Sequence, residues 1–257
     1  MRYARCSRFP VQILAAAMVI AMAGCDNTPD TQPEGAASSP RARANLDCTD
    51  EQQVIEDVSL GSGGSVEGDV DGDGEIDTVQ IVLDENGEPG CEAFLIVGTS
   101  SGNVSIPIWL TGSTGGLPQP SIKTLADVDA KPGLEIVVDE AGGASTQFAG
   151  VYTLVDGDLA WIELPESEMG LFAYGGSVGH LEAVDCAGDE ELFVTRAVPG
   201  QGNEALEKSL YDVTRTTYSI DGGTLEQVST ETDQVPIDRL DRFKEFQTSP
   251  FGTCSSG

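Results

Sequence analysis

The sequence predicts an all-β fold, a small array of three four-stranded repeat units with short flanking helices, and three observations support this prediction. Runs rich in Val, Ile and Thr recur over residues 60–230 without the 3.6-residue periodicity that indicates helices. Asp-Gly and Gly-Asn dipeptides separate several of these runs, as they do in β-hairpins. One pattern, an acidic loop followed by β-rich runs, occurs three times.

Each repeat contains about four short runs of strand-forming residues. One run precedes an acidic loop, one follows it, and two more are joined by a turn. The acidic loops occupy residues 69–77, 127–135 and 183–191. Four strands per unit is the composition of a propeller blade. Pro107 in the closing run of the first unit indicates an edge strand, because proline has no N–H to donate to a ladder. The units are predicted at about residues 60–115, 116–170 and 171–230.

Short helices are predicted only at the two ends of the array. One is predicted over residues 51–58, after a capping residue, and the other follows Pro236. In the second segment three apolar residues recur at helical spacing: Ile237, Leu240 and Phe243. Both segments are expected to cap exposed blade edges. The β domain then spans residues 47–257, with a C-terminal cap over 231–257.

The first 24 residues are predicted to be an export signal rather than part of the fold. Three arginines near the start precede an apolar stretch over residues 11–23, which is too short to span a bilayer. The stretch ends in Met-Ala-Gly-Cys, which resembles the lipobox of bacterial lipoproteins. That resemblance implies cleavage just before Cys25 and lipid modification of this cysteine. An ordinary secretory signal with an incidental cysteine is the alternative.

The charge of the chain restricts its partners. Asp and Glu number 43 against 13 Lys and Arg, which gives a formal net charge of −30. Such a chain is repelled by phosphates, which argues against nucleic acid, and by anionic lipid surfaces, so acyl chains are needed to hold it at a membrane. Residues 25–46 are therefore predicted to be a lipid anchor and a flexible tether. We expect a protein of the cell membrane that is lipid-anchored through Cys25 and faces the extracytoplasmic side.

Export also predicts disulfide bonds. With Cys6 removed and Cys25 acylated, four cysteines remain: Cys48, Cys91, Cys186 and Cys254. An even number in an oxidising compartment indicates two bridges, with three possible pairings. A Cys48–Cys254 bridge would close the folded region, and Cys48–Cys91 with Cys186–Cys254 is equally consistent with the sequence. No cysteine spacing indicates zinc.

The loop over residues 69–77 carries the clearest chemistry. Asp69, Asp71, Asp73 and Asp77 occupy its positions 1, 3, 5 and 9, with a glycine at position 6 and the backbone carbonyl of Glu75 at position 7. Calcium takes six to eight hard oxygens, which alternate residues of a tight loop supply. Four carboxylates in one turn repel one another without a cation. The sequence therefore predicts one calcium site with a Kd on the order of 10⁻⁴–10⁻³ M; an acidic turn without metal is the alternative.

This loop is not an EF-hand, since Gln80 occupies position 12 and a β run follows. It resembles the calcium loop of FG-GAP/VCBS-type repeats, the blades of integrin-like β-propellers. The resemblance covers about residues 60–230 and implies a propeller-like array. In the second loop Lys131 and Pro132 replace the acid and the glycine, and in the third alanine replaces two acids, so both loops are degenerate. Lys131 is either a tethered cation within its loop or a solvated side chain.

Catalytic motifs in the sequence are weak. The segment around Ser177 matches the G-x-S-x-G nucleophile elbow, but a β run follows it and the single histidine, His180, lies directly after it. We therefore predict no catalytic residue and a binding or scaffolding protein, whose partner is an unknown envelope protein or a glycan. A secreted hydrolase acting on envelope esters or polysaccharides is the alternative, and an accessory subunit of an envelope complex is a third interpretation.

Overall fold

The β domain consists of two antiparallel sheets in a computed structural model. The structure describes residues 48, 64–84, 87–108, 119–177, 179–188, 191–200 and 210–254, all of which belong to one compact unit, Ser38–Gly257. The predicted export signal, Cys25, the tether and the helix predicted over 51–58 lie outside the described residues. The prediction of an all-β fold is confirmed.

The first sheet contains four consecutive strands in the order of the chain. They are β1 (Val66–Gly68), β2 (Asp77–Leu83), β3 (Ala93–Thr99) and β4 (Gly102–Pro107). Strand β3 is central and apolar, and five of its seven residues are buried. Pro107 is the last residue of the edge strand β4, as its missing N–H predicts.

The second sheet contains nine strands. They are β5 (Ser121–Ala126), β6 (Glu135–Gly142), β7 (Thr146–Val155), β8 (Asp158–Ile162), β9 (Phe172–Ser177), β10 (His180–Cys186), β11 (Glu191–Pro199), β12 (Leu210–Asp221) and β13 (Thr224–Pro236). Their order is β13-β12-β11-β10-β9-β7-β6-β5, and β8 pairs with the second half of β7. The sheet is not closed, because β5 and β13 are its end strands.

The predicted units contain β1–β4, β5–β8 and β9–β13, so the third holds five strands rather than four, and the three units do not form three separate sheets. Strand β9 pairs with the first half of β7 on one side and with β10 on the other, so it joins the second and third units. Two adjacent glycines, Gly175 and Gly176, with φ values of +93° and +126°, lie in this strand and allow its backbone to approach both neighbours closely.

The second unit lies between the other two, with both of its faces buried. Ile136 and Val138 share a hydrophobic cluster with Leu95 of the first sheet. Val137, between them, belongs to a second cluster with Leu192 of the third unit. Because successive side chains of a strand point to opposite faces, the two clusters lie on opposite sides of β6. The units therefore pack face to face.

The outer face of the third unit is covered by the C-terminal segment. Two short 3₁₀ helices, Ile237–Arg242 and Lys244–Phe246, follow β13. Leu240 is buried in a cluster with Val213 and Val235 of the third unit. The cap predicted over residues 231–257 differs at its start, because residues 231–236 continue β13, and the segment after Pro236 covers the face of the unit rather than its edge. No described residue belongs to a helix that is long and apolar enough to cross a membrane.

Two disulfide bonds join residues near the two ends of the domain to segments inside it. Cys48 pairs with Cys91, with Cα atoms 5.8 Å apart, and Cys186 pairs with Cys254, with Cα atoms 4.9 Å apart. The alternative bridge between Cys48 and Cys254 is wrong. The reason is placement, since Cys48 packs beside Phe94 in the first unit and Cys254 packs against the core of the third.

Candidate functional site

The first acidic loop connects β1 to β2 in a compact turn. Gly68 pairs with Asp77, so the connection comprises residues 69–76. Asp69 accepts hydrogen bonds from the N–H groups of Gly72 at 2.8 Å and Gly74 at 3.0 Å. An added Cβ on Gly72 would lie 2.6 Å from the carbonyl carbon of Pro132, so this close approach requires glycine.

The next two aspartates fold the loop further through their own backbone neighbours. Asp71 accepts from the N–H of Asp73 at 3.0 Å, and Asp73 accepts from the N–H of Glu75 at 2.7 Å. The second oxygen of Asp73 accepts from the hydroxyl of Ser100, at the turn between β3 and β4, at 2.8 Å. The hydrogen bond from the Glu75 N–H lowers the pKa of Asp73 most, and the bond from Ser100 lowers it further. The sequence did not reveal Ser100 as a partner, because it lies 27 residues from Asp73.

The structure brings three of the four predicted aspartates together. Asp69, Asp71 and Asp77 each offer one carboxylate oxygen, and these oxygens lie within 4.8 Å of one another. The carboxylate of Asp73 instead engages the N–H of Glu75 and the hydroxyl of Ser100. The side chain of Glu75 does not belong to the group.

Asp77 is the buried member of this group, at 1% exposure. Its Oδ2 accepts from the N–H of Val70 at 2.8 Å and of Asp71 at 3.2 Å, whereas its Oδ1 has no hydrogen-bond partner among the described residues. Burial raises the pKa of Asp77, and the charges of Asp71 and Asp73 add to this effect, against the two N–H bonds. A buried polar atom without a partner costs about 1–3 kcal/mol. A hard cation would provide the missing contact, so the oxygen donors present fit calcium.

The second acidic loop has the same backbone plan. Glu135 pairs with Ala126 as Asp77 pairs with Gly68, and it accepts from the N–H of Val128 at 2.8 Å. Oxygens of Asp127, Asp129 and Glu135 also lie within 4.8 Å of one another. Both oxygens of Glu135 have partners, since Oε1 accepts from a threonine hydroxyl at 3.1 Å. Burial raises the pKa of Glu135 to about 7.

Lys131 provides the second loop with a cation of its own. Its Nζ lies 3.6 Å from Oδ2 of Asp129 and 3.2 Å from Oδ1 of Asp221, at the turn between β12 and β13. The hydrogen bond to Asp221 raises the pKa of Lys131. Lys131 therefore contacts one acid of its own loop, Asp129, and links the second unit to the third through Asp221, while about half of its side chain remains exposed.

The third acidic segment resembles the other two in sequence but differs in fold. Asp185 lies within β10, and only residues 187–190 separate that strand from β11. The Asp185 carboxylate is buried and accepts from the N–H of Thr253 at 2.7 Å, the N–H of Cys186 at 3.1 Å and the hydroxyl of Thr248 at 3.3 Å. The C-terminal segment thus satisfies this carboxylate without a metal ion.

The described residues of the G-x-S-x-G segment belong to a β-hairpin, since β9 ends at Ser177 and pairs with β10, which begins at His180. Ser177 and His180 are cross-strand neighbours, and the Ser177 hydroxyl accepts from the N–H of Gly179 at 3.3 Å. Nε2 of His180 lies 2.7 Å from the hydroxyl of Thr146. This histidine nitrogen is therefore engaged by Thr146, and the strand–turn–helix context of a nucleophile elbow is replaced by a β-hairpin.

Comparisons with known proteins assign no family to the chain. No protein-family model matches the sequence, and no curated protein matches it significantly. A solved structure described as that of a Xanthomonas type IV secretion system related protein is similar at 15% sequence identity, over 67% of this chain and 96% of that one, with a TM-score of 0.23. A TM-score of that size establishes no shared fold, so the proposals below rest on the geometry of this chain.

Proposed function

We propose that this chain is a lipid-anchored, extracytoplasmic binding or scaffolding protein without enzymatic activity, whose propeller-like β array is stabilised by one calcium ion. The observation that carries the calcium part is the buried Oδ1 of Asp77, which has no hydrogen-bond partner among the described residues. Asp69 and Asp71 place two more carboxylate oxygens beside this residue.

The calcium ion would be held by the first loop. Asp69, Asp71 and Asp77 supply the gathered carboxylates, while Asp73 and the backbone carbonyl of Glu75 occupy the remaining ligand positions of the sequence pattern. The ion supplies the positive charge that offsets the repulsion among these carboxylates. Since the loop joins β1 to β2 and contacts Pro132 of the second loop, fixing it stabilises the packing of the first unit on the second.

The propeller-like arrangement is proposed on the face-to-face packing of the units. Successive groups of four antiparallel strands bury both faces of the middle group, as neighbouring blades do. The second sheet ends in β5 and β13, so the array is proposed as an open stack.

Attachment to the membrane is proposed on the lipobox-like sequence that ends at Cys25. The high negative charge requires an anchor other than electrostatic attraction to anionic lipid. Two disulfides fit an oxidising, extracytoplasmic compartment. In cells fed labelled palmitate, the wild-type chain should carry label and sediment with membranes, whereas Cys25→Ser should do neither. Unlabelled wild-type protein in the soluble fraction would contradict the anchor.

A thermal-shift experiment tests the stabilising role of calcium. Millimolar calcium should raise the Tm of the EDTA-treated protein, because an ion that binds only the folded state stabilises it. Asp71→Asn should abolish the increase, and Asp73→Asn should weaken it less, because Asp73 already has two hydrogen-bond donors. Asp158→Asn, an exposed acid of β8, is the matched control and should keep the increase. An equal Tm in EDTA and in calcium would contradict the proposal.

A further inference from the structure

An open groove of about 650 Å³ lies between the first and second units. One wall is formed by β1 and the candidate calcium loop, and the other by β5 and the second acidic loop. Both β1 and β5 are end strands of their sheets in the described part of the chain. The groove therefore runs between two sheet edges.

Apolar and acidic side chains line this groove together. The apolar ones are Val66, Ile76, Leu125 and Leu134. The acidic ones are Glu67, Asp69 and Asp127. Ile76 is 69% exposed, more than any other large apolar side chain that the structure describes as exposed. Lys131 is the one cation of the lining, and its ammonium group is already engaged by Asp129 and Asp221.

We propose that the groove binds an extended, basic segment of a partner protein that carries both Lys or Arg and apolar residues. The proposal rests on the binding role proposed above and names the partner's chemistry. Each wall offers an apolar and an acidic side chain, Ile76 and Glu67 on one and Leu125 and Asp127 on the other, so an extended segment finds both kinds of contact on either side. Sheet edges bind extended segments through their unpaired backbone groups.

The net negative charge of the chain favours a basic segment over other possible occupants of the groove. A second copy of a chain with a net charge of −30 is repelled, and so is an anionic lipid surface. A basic segment is attracted to the groove, and its affinity falls as salt rises. The exposed Ile76 adds an apolar contact to this electrostatic attraction.

A peptide-binding experiment tests this proposal. The probe is a short fluorescent peptide of alternating Lys and Leu, compared with one of Glu and Leu and one of Lys and Ser, by fluorescence anisotropy. Glu67→Lys and Ile76→Ser change exposed side chains of the groove. The matched controls, Glu226→Lys and Val228→Ser, make the same kinds of change on the exposed strand β13.

The Lys–Leu peptide should bind most tightly, and each groove variant should weaken it about tenfold while the controls stay within about twofold. Equal binding to groove and control variants, or equal binding of the Lys–Ser peptide, would overturn the proposal. A concentration-dependent dimer that Ile76→Ser dissociates would also overturn it, in favour of self-association. The calcium-dependent Tm increase is measured on the wild type as well, so a wild type that shows this increase but does not bind the Lys–Leu peptide refutes the groove proposal alone.

Discussion

Replacing Glu135 with glutamine should remove a pH dependence from the stability of the protein. Glu135 is 3% exposed, and burial raises its pKa from 4.5 to about 7, an effect to which the charges of Asp129 and Asp127 add. Between these two pH values the unfolded chain has lost this proton while the folded chain still holds it. The free energy of unfolding therefore falls as pH rises through this interval, and this contribution is fully present only below about 4.5.

The size of the effect follows from the two pKa values. One bound proton changes the free energy of unfolding by about 1.4 kcal/mol for each pH unit, so the interval from 4.5 to about 7 corresponds to about 3 kcal/mol. Glutamine is uncharged throughout this range. Its carbonyl accepts from the N–H of Val128 and its amide donates to the hydroxyl of Thr153, so the two native contacts are preserved.

Urea denaturation in EDTA at several pH values between about 5 and 8 measures this effect. Relative to the wild type, Glu135→Gln should gain about 3 kcal/mol across the range. Glu226→Gln, a substitution on the exposed strand β13, is the matched control and should follow the wild-type profile. Parallel profiles for the wild type and Glu135→Gln would refute the assignment of a raised pKa to this carboxyl.

Three further predictions concern contacts of the third unit with the second unit and with the C-terminal segment. Lys131→Met should lower the free energy of unfolding by less than about 1 kcal/mol, because the lysine is about half exposed, and high salt should erase the difference in urea melts. Replacing both Cys186 and Cys254 with serine should lower it by about 4 kcal/mol, since the bridge closes 68 residues, and the difference from the wild type should disappear when both proteins are reduced, because neither then keeps a disulfide. Leu240→Ala should cost about 2–4 kcal/mol in the same assay, because it removes a buried contact between the cap and the third unit; a change below about 0.5 kcal/mol would contradict the capping role.

The local features of the fold were predictable from sequence. The repeated β-rich runs located four strands for each unit, Pro107 located an edge, and Ile237, Leu240 and Phe243 indicated a short C-terminal helical segment. These signals work because hairpin turns, edge proline and apolar spacing depend on neighbouring residues. The candidate calcium loop was predictable for the same reason, since its ligands lie within nine residues.

The features that escaped prediction depend on contacts between distant residues. Lys131 meets Asp221 across 90 positions of the chain, and the turn signals do not show that these segments meet. Asp185 follows a valine, as do its counterparts in the other two acidic loops. Its carboxylate nevertheless accepts a hydrogen bond from the C-terminal segment at Thr253, 68 residues away. Strand β9 merges two units into one sheet. The sequence did not indicate this strand, because it contains two glycines, which are uncommon in strands.

The binding of calcium by the loop over residues 69–77 is the central claim, and isothermal titration of the chelator-treated protein with calcium tests it most directly. We expect one ion per chain with a Kd on the order of 10⁻⁴–10⁻³ M. Binding should disappear in Asp71→Asn and persist in Asp158→Asn, in which the gathered carboxylates are intact. Absence of binding in the wild type, or equal binding in Asp71→Asn, would contradict the claim.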